Sequence, residues 1–361
     1  MAHKGKKTLY WYSRYGRIEV EEQIYWRGGK QVRSFATSAG VVCRGYSLGL
    51  QRAMTDFGAD KAFVNVPKKL KEHYGIEVPI SMARVITERH GQIMKEKVED
   101  EMVTQLPKKK GVEQLIVEMD GSMLPVVEIE EKREDLPSDG RKRRKLDWRE
   151  VRLCMARDPR KLEGHYGGTM GGPQEAGAQM VNCVVESGGG KATKLHCVGD
   201  GALWIVGQVK NRFGEQANYT VDFHHVSEYL AAAGEVLAGE QRKEWLHHQQ
   251  QRMKESRVSE VLNELAKNEL PNPDPNEAVT TCSRYLSNRL DCLDYKGALE
   301  AGLPIGSGEI ESGHGWVFQD RLKLSGAWWK PDNLQKMMAL RLVRANNQWE
   351  SYWECRRQAA A

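Results

Sequence analysis

The sequence predicts an α/β protein, in which a domain built around a sheet is interrupted by an all-helical insertion and preceded by a small β meander and a helical region. Three features predict this class. Apolar and polar side chains alternate with the period of a strand between residues 8 and 35. Strand-like and helix-like stretches then follow one another from 114 to 225. Beyond 225, helical periodicity continues for a long distance.

Composition is typical of a globular protein with more than one domain. The chain has 361 residues, of which 40% are apolar and 29% charged, and this is ample material for a core. No apolar run reaches the length of a membrane helix, and the first residues lack the apolar centre of a signal peptide. We therefore expect a cytoplasmic protein with no membrane partner. Seven cysteines without a CxxC pair argue against a disulfide framework and a zinc ribbon.

The net charge of +5 is mildly basic, and its distribution is more informative than its size. Basic residues cluster in "KKLK" at 68–71, "KKK" at 108–110 and "RKRRK" at 141–145. Such clusters are typical of solvated loops, and also of chains that bind phosphate backbones. Both interpretations stay open at this point.

Residues 1–50 form the predicted β-rich region. The alternation places four apolar side chains on one face of a strand, namely Ile18, Val20, Ile24 and Trp26. Glycines at 16, 28 and 29 mark turns between short strands. A small meander is the simplest structure with these properties.

Residues 51–112 form the predicted helical region. Pro67 must either start a short helix or kink it, Gly75 lies in a turn, and Ser81 is a candidate N-cap for a second helix. Two helices joined in this way fit a helix-turn-helix that binds DNA, but they also fit an ordinary helical hairpin. Local sequence does not separate the two.

Residues 113–225 contain five predicted strands and two helices. "QLIVEMDGSMLPVVEIEE" reads as two strands joined by a turn or bulge near Asp120, and residues 148–156 read as a third strand. A helix, a fourth strand ending at Asp200, another helix and a fifth strand, "NYTVDFHH", follow. Helices fill 226–302 around the break "PNPDPNE", and residues 303–361 return with a glycine-rich junction and an apolar helix.

The order of these elements, β-β-β-α-β-α-β followed by helices, is that of an RNase H-like domain. In that fold one Asp lies on the first strand, a second follows the fourth strand, and a third carboxylate lies on a late helix. Asp120 and Asp200 occupy the first two places, and the two strands are neighbours in such a sheet. The alternative for Asp200 is an ordinary turn, since Asp-Gly is a common turn dipeptide.

Three clustered carboxylates repel one another unless a cation neutralises them. Oxygen ligands without Cys or His spacing favour Mg²⁺ or Mn²⁺. Two such ions about 3.5–4 Å apart activate an attacking oxygen and stabilise a leaving oxygen at phosphorus. The pattern therefore predicts two divalent ions per active site. "SGGGKAT" at 187–193 does not meet the pattern of a phosphate-binding loop.

The chain resembles DDE-type insertion-sequence transposases, most closely the ISKra-type group, which is related to the Mutator-like enzymes with their helical insertion. The resemblance covers roughly residues 55–353. It rests on "MDGSMLPVV", "GDGALWI", "VDFHHVSEYL", "GSGEIES" and "RLKLSGAWW" in this order, with the tail "NNQWESYW". It implies an RNase H-like catalytic domain, two Mg²⁺ or Mn²⁺ ions, and action on double-stranded DNA at terminal inverted repeats and target sites. It also implies a dimer or larger assembly on DNA.

The resemblance implies that Asp120, Asp200 and Glu311 are the catalytic residues and metal ligands. "GSGEIES" also offers Glu309, but residues two apart on a helix are rotated by about 200°, so only one can face the site. The family pattern, Gly-Ser-Gly, two residues, then Glu, selects Glu311. The family's Asp-x-x-His element corresponds to Asp222 and His225, which would support the site, although His225 in a helix cap is the open alternative.

Cations in two places are candidates for DNA binding. The helical region supplies Lys68, Lys69, Lys71, Arg84 and Arg89. "RLKLSGAWW" supplies Arg321 and Lys323 for phosphates, with Trp329 either stacked on a base or buried in the core. Relatives often carry cysteine pairs near the N-terminus, whereas Cys43 stands alone in this chain.

The sequence is compatible with three functions. The first is a transposase that cleaves the ends of an insertion sequence and joins them to target DNA. The second is a non-catalytic DNA-binding protein that retains a transposase fold, which the altered N-terminal region would explain. The third is another RNase H-like nuclease, such as a resolvase. Carboxylates at all three positions favour the active transposase.

Overall fold

The computed structural model describes residues 2–39, 41, 45–129, 144–267 and 277–359. Cys43, most of the "RKRRK" cluster and most of the "PNPDPNE" break lie outside these residues. Within them, no helix is long and apolar enough to cross a membrane. The six cysteines in this part of the chain are free thiols, and four of them are buried, as the absence of paired spacings predicted.

The described residues form eight strands in two sheets. The strands are β1 (Ala2–Ser13), β2 (Gly16–Arg27), β3 (Lys30–Arg33), β4 (Gln114–Ile129), β5 (Arg144–Arg157), β6 (His165–Thr169), β7 (Lys194–Gly199) and β8 (Ala217–Val221). The first three make an antiparallel sheet in the order β1-β2-β3, and the other five make a mixed sheet in the order β6-β5-β4-β7-β8.

Fifteen helices accompany these sheets in the described residues. They are α1 (Ser34–Ser38), α2 (Leu48–Asp60), α3 (Val66–Tyr74), α4 (Ile80–Glu101), α5 (Pro173–Glu186), α6 (Leu203–Phe213), α7 (Phe223–Leu237), α8 (Arg242–Lys254), α9 (Val258–Ala266), α10 (Glu277–Ser287), α11 (Tyr295–Glu300), α12 (Gly308–Gly313), α13 (Asp320–Leu322), α14 (Pro331–Ala345) and α15 (Trp349–Gln358). A π-helical turn, His314–Gln319, follows α12.

The chain divides into two compact units. The first contains Met1–Glu101, Met123–Arg149 and Gly315–Ala361, and the second contains Met102–Ser122 and Glu150–His314. All the carboxylates predicted for catalysis fall in the second unit.

The first unit contains the predicted meander and helical region. β1 and β2 pair from Ala2 to Trp26, but Ile18 is 42% exposed, so the predicted apolar face is covered only in part. α2, α3 and α4 share a core of buried apolar residues. Pro67 lies in the first turn of α3 and Gly75 ends it in the left-handed conformation, as predicted.

Two predictions for helix ends in this unit are wrong. Ser81 lies inside α4 and does not cap it, because that helix begins at Ile80. The apolar C-terminal helix is two helices, α14 and α15, since the chain turns at Asn347, which has a positive φ of 57°. Asn is among the residues that adopt this conformation at least cost.

The second unit contains the mixed sheet. β4, β7 and β8 are parallel neighbours, and β5 pairs antiparallel with β6. α5 and α6 lie between the later strands in sequence, so the predicted order of element types is confirmed. The described parts of the insertion, 226–267 and 277–300, contain helices and no strand, and α7 to α11 share one apolar core with the sheet.

Three strand assignments change. The chain does not turn at Asp120 and Gly121, because β4 runs through them as one strand. The segment 148–156 therefore belongs to the second strand, and the third strand is β6, which the sequence analysis missed. The fifth strand ends at Val221, since Phe223 already begins α7.

Candidate active site

Asp120 and Asp200 come together at one edge of the sheet because of the register of two parallel strands. Gln114 pairs with Lys194 and Glu118 with Val198. The same register, continued for two residues, places Asp120 level with Asp200, just beyond the end of β7. The sequence prediction that these two strands are neighbours is confirmed.

The two carboxylates are close enough to affect each other electrostatically. Burial, and to a smaller extent the charge of Asp200, raises the pKa of Asp120, against an opposing effect of His314. Oδ1 of Asp120 accepts a hydrogen bond from the Gly121 N–H (2.7 Å), and Oδ1 of Asp200 accepts one from the Ala202 N–H (2.8 Å). In each residue Oδ1 accepts this local backbone hydrogen bond, and Oδ2 does not take part in it.

His314 was not predicted as a site residue, yet it contacts Asp120 directly. Its Nε2 lies 3.0 Å from the Asp120 carbonyl oxygen and 3.9 Å from Oδ2 of the same residue. A carbonyl oxygen can only accept, so Nε2 carries the proton and donates. Burial lowers the pKa of His314. His314 follows Glu311 by three residues, and residues three apart on a helix are neighbours, so this spacing could have indicated that His314 lies near the site.

Asp222 is a positioning residue that joins two elements. It is fully buried, and its Oδ1 accepts hydrogen bonds from the N–H groups of His224 (2.5 Å) and His225 (3.3 Å), so it caps α7. Its Oδ2 accepts from the N–H (2.5 Å) and the hydroxyl of Ser307. The capping role that was an alternative for His225 therefore belongs to Asp222.

His225 lies on the first turn of α7 and its side chain is 40% exposed. Its Nδ1 is 3.5 Å from Glu228. It lies near enough to Asp120 to act on the pKa of that carboxyl, in the lowering direction. The structure therefore places His225 beside the Asp pair and Asp222 behind it.

Four contacts fix α12, the short helix that carries Glu309 and Glu311. Asp222 holds Ser307 at its start. Arg157 forms a two-pronged ion pair with Glu309, with Nε 2.5 Å from Oε2. Glu118 Oε2 accepts the Ile310 N–H at 2.8 Å. At the far end, His314 holds Asp120.

Glu118 is a buried carboxyl that the sequence analysis missed. It is 1% exposed, and burial raises its pKa to about 8. Period two along β4 places it on the same face as Asp120, and this spacing was the available signal. Because its Oε2 accepts a backbone N–H of α12, it connects the central strand to the helix.

Glu309 and Glu311 have different surroundings. Glu309 is engaged by Arg157, whose side chain is 10% exposed and whose pKa is raised by that hydrogen-bonded partner. Glu311 is exposed and has no ion pair among the described residues. The regular helix ends at Gly313 and His314 begins a π-helical turn, so ideal α-helical rotation does not decide which of the two glutamates is nearer to Asp120.

No group of three or more His, Cys, Asp or Glu side chains is arranged to hold a metal ion within the part of the chain that the structure describes. The two Asp carboxylates suit a hard divalent cation in kind, because both are oxygen donors and the charge of Asp200 raises the pKa of Asp120. Glu311 as a third ligand stays a prediction.

The predicted DNA-binding residues separate into two groups, both in the first unit. Arg84, Arg321 and Trp329 line one cleft. Lys68, Lys69, Lys71 and Arg89 lie outside its lining, and two of them have acidic partners, Glu72 for Lys69 (2.8 Å) and Glu77 for Lys71 (2.7 Å). Exposed ion pairs of this kind are weak, so phosphates can compete for these lysines.

The structure contradicts base stacking by Trp329. This ring is 6% exposed, its Nε1–H donates to the Leu322 carbonyl (2.9 Å), and its backbone bridges to Val126. Arg321 is also buried, at 2% exposure, so it does not present a cation on an open surface as a phosphate contact would ordinarily require. Lys323 remains exposed, 5.6 Å from the Trp148 ring centre.

Comparison with known families shows a match over the C-terminal part of the chain. Residues 179–357 match the model of an uncharacterised protein family, UPF0236. The matched segment is just under half of the chain and includes Asp200, Asp222, His225 and Glu311, but not Asp120. No curated protein matches the chain.

Proposed function

We propose that the chain is a DDE-type DNA transposase with an RNase H-like catalytic domain. The observation that carries the proposal is the register of β4 and β7, which places Asp120, within β4, level with Asp200, just beyond the end of β7, in a sheet of order β6-β5-β4-β7-β8. An ordinary turn at Asp200 needs no second carboxylate beside it. The raised pKa of Asp120 is the electrostatic cost that a cation would remove.

Glu311 is proposed as the third ligand because the other groups on α12 are already used. Ser307, Glu309, Ile310 and His314 each bind a partner in the domain. These contacts fix the helix and leave Glu311 as its exposed carboxylate. A fixed helix is what a site needs when a ligand must be placed to within a fraction of an ångström.

Asp120, Asp200 and Glu311 would together hold Mg²⁺ or Mn²⁺. Such ions, when bound, activate an attacking oxygen and stabilise the leaving oxygen at phosphorus. The reaction has two in-line displacements. In the first, water attacks the phosphorus at the element's end and the 3′ oxygen leaves as a hydroxyl. In the second, this hydroxyl attacks a target phosphate, and the target's own 3′ oxygen leaves.

The residues around the carboxylates would preserve the geometry through both steps. His314 donates to the Asp120 carbonyl, and Asp222 fixes the start of α12. DNA, both the terminal inverted repeats and the target, is the proposed partner, bound by a dimer or larger assembly. Lys68, Lys69, Lys71, Arg84, Arg89 and Lys323 are its proposed cationic contacts.

The test is cleavage of DNA that carries the inverted repeats flanking the coding region, with Mg²⁺ or Mn²⁺ and with EDTA as the control. Asp120→Asn, Asp200→Asn and Glu311→Gln should each abolish cleavage, because each removes a ligand charge and keeps the side-chain size. DNA binding and melting temperature should change little.

Glu309→Gln is the matched control on the same helix. It should retain most of the cleavage activity, because Gln can still accept a hydrogen bond from Arg157, but its melting temperature should fall slightly, since a part-exposed ion pair is worth about 1 kcal/mol. A dead Glu309→Gln beside an active Glu311→Gln would reverse the assignment. End-specific binding without any metal-dependent nicking would instead favour a non-catalytic DNA-binding protein, and cleavage of branched DNA without preference for the repeats would favour a resolvase.

A further inference from the structure

A cleft of about 600 Å³ lies in the first unit and differs in character from the carboxylate site. Its lining includes four cations, Arg84, Arg144, Arg321 and Lys330, and one carboxylate, Glu88. Glu88 is itself engaged, since it accepts a hydrogen bond from Asn333 (2.9 Å). The volume lies in the range of small-molecule sites. The excess of positive charge favours an anionic ligand.

The lining of this cleft contains a buried cation, Arg321, that forms no ion pair with a described residue, although the charge of Asp60 acts on it from a distance. Arg321 is 2% exposed. Its Nε donates to the Gly58 carbonyl (2.9 Å), but Nη2 has no hydrogen-bond partner in the described structure. Burial lowers its pKa to about 10, so it remains charged at neutral pH. The guanidinium lies 4.9 Å from the ring centres of Phe63 and Trp329, which offset part of the cost of burying the charge, and the unused Nη2 donor remains.

The rim of the cleft carries an aromatic surface. Trp328 lines the cleft, and its ring meets that of Trp148 edge to face, with ring centres 6.0 Å apart. Trp148 is 45% exposed, and Lys323 lies 5.6 Å from its ring centre. Trp328 is half-buried and Trp148 is exposed, and accessible tryptophan rings beside cations are the combination that binds bases and phosphates together.

We propose that this cleft binds an unpaired nucleotide of single-stranded DNA, with the base on Trp328 and Trp148 and the phosphate on the exposed cations Arg144 and Lys330. The buried Arg321 adds positive charge without contacting the phosphate directly. A base pair within an intact duplex exposes no face for stacking, so the site would select a frayed or cut end over a closed duplex. The inference rests on the proposed function in taking DNA as the ligand. It assigns the base contact to Trp328, in place of the buried Trp329.

The experiment is equilibrium binding of labelled DNA to the full-length Asp120→Asn protein in EDTA, so that no strand is cut. Three ligands are compared by fluorescence anisotropy: a blunt duplex, the same duplex with a short single-stranded overhang, and that overhang with abasic residues. The overhang should raise affinity about 5- to 100-fold over the blunt duplex. The abasic overhang should lose most of this gain, because it retains phosphates but no bases.

Substitutions separate stacking from charge. Trp328→Ala and Trp148→Ala should remove the overhang gain and leave blunt-duplex affinity nearly unchanged. Trp316→Ala is the matched control, since Trp316 is 40% exposed and does not line the cleft, and it should retain the full gain. Arg144→Gln and Lys330→Gln should weaken overhang binding and reduce its dependence on salt, without disturbing the buried Arg321.

The proposal is overturned if the Trp328→Ala protein keeps the overhang gain, if the abasic overhang binds as well as the natural one, or if an RNA overhang binds better than DNA. The measurement needs no strand chemistry. Preference for the overhang in a protein that never cleaves DNA would therefore refute the transposase proposal while supporting the cleft. Cleavage of DNA by the wild-type protein without preference for the overhang would support the transposase proposal and refute the cleft proposal.

Discussion

At the scale of single residues, the candidate site depends on hydrogen bonds to backbone atoms that no sequence motif announces. Glu118 shows this most clearly. Its carboxyl is buried and accepts the Ile310 N–H, one residue before Glu311. A helix start that is held by a side chain of the central strand cannot move independently of Asp120, which lies two residues further along that strand. Glu118 is in this sense a positioning residue for Glu311.

Substitutions at Glu118 test this role. Glu118→Gln retains an oxygen that accepts the Ile310 N–H, so cleavage should stay within a few-fold of the wild-type rate. Glu118→Ala leaves that N–H without a partner and should cost about 1–3 kcal/mol of stability. It should also lower the cleavage rate by about 10- to 100-fold through misplacement of Glu311. Single-turnover cleavage and thermal melting give the two readouts, and a Gln variant as impaired as the Ala variant would disprove the role.

The candidate residues of the site could be proposed from the sequence, but their surroundings could not. Asp120 and Asp200 were proposed from strand order and Glu311 from the family pattern, and all three roles stay predictions. The engagement of Glu309 by Arg157 depends on residues 152 positions apart, and nothing in either segment encodes that pairing. For the same reason Trp329, and not Trp328, was predicted to contact a base. Two adjacent tryptophans look equivalent in the sequence, and only packing shows that Trp329 is the buried one.

At the scale of elements, a helix of the insertion holds the loop that carries Asp200. The Tyr285 hydroxyl on α10 donates to the Asp200 carbonyl (2.7 Å), and Arg289 Nε donates to the Gly201 carbonyl (2.7 Å). Gly201 has a φ of 76°, which glycine adopts at little cost. An added Cβ there would meet Arg289 Nε at 2.7 Å. The insertion therefore forms part of the support of the proposed active site.

Tyr285→Phe should separate this support from folding. The change keeps the ring, which stacks on Tyr229 with centres 4.0 Å apart, and removes only the hydroxyl bond to Asp200. Stability should fall by about 1 kcal/mol, and cleavage should fall several-fold because the Asp200 loop loosens. Tyr295→Phe is the control, since the Tyr295 hydroxyl is buried without a hydrogen-bond partner in the described residues, and it should affect neither property. Equal losses in the two variants would count against the support role.

Local propensity explains both the success and the failure of the strand predictions. β7 and α6 were predicted well because each has a clear period and a clear end. Asp120-Gly121 reads as a turn, yet β4 continues through it, because pairing with a long neighbouring strand outweighs the preference of two residues. β6, "HYGGT", has two glycines and almost no apolar alternation, so its strand character comes from pairing with β5.

At the scale of the whole molecule, one buried histidine of the first unit forms hydrogen bonds with residues from the N-terminal and C-terminal parts of the chain. His90 on α4 lies 2.7 Å from the Tyr352 hydroxyl and 3.0 Å from Oε1 of Gln51. The amide oxygen accepts, so Nε2 donates, and neutral Nδ1 then accepts from the tyrosine hydroxyl. Burial lowers the pKa of His90 to about 3. No local pattern predicts that residues 262 positions apart meet in this way.

The lowered pKa fixes the direction of a pH effect on stability. Below about pH 6.5 the unfolded chain binds a proton at His90 that the folded chain does not, so stability falls as pH decreases toward 3. The loss at pH 5 should be about 2 kcal/mol. Denaturant unfolding followed by a probe in the first unit measures it. His90→Gln should flatten the pH slope, whereas His73→Gln, at an exposed position, should retain it, and an unchanged slope in His90→Gln would exclude this histidine as its source.

The bonds between Asp222 and Ser307 have a consequence for how freely the chain can vary. Eighty-five positions separate these residues. The segment between them therefore starts and ends at the same place, the carboxylate of Asp222 beside the sheet. For a closed segment of this kind, doubling its length adds only about 0.6 kcal/mol of closure entropy. Extra residues in the exposed connections of this segment should therefore cost the sheet little. The helices α7 to α11 cannot be lost in the same way, because they share an apolar core with the sheet.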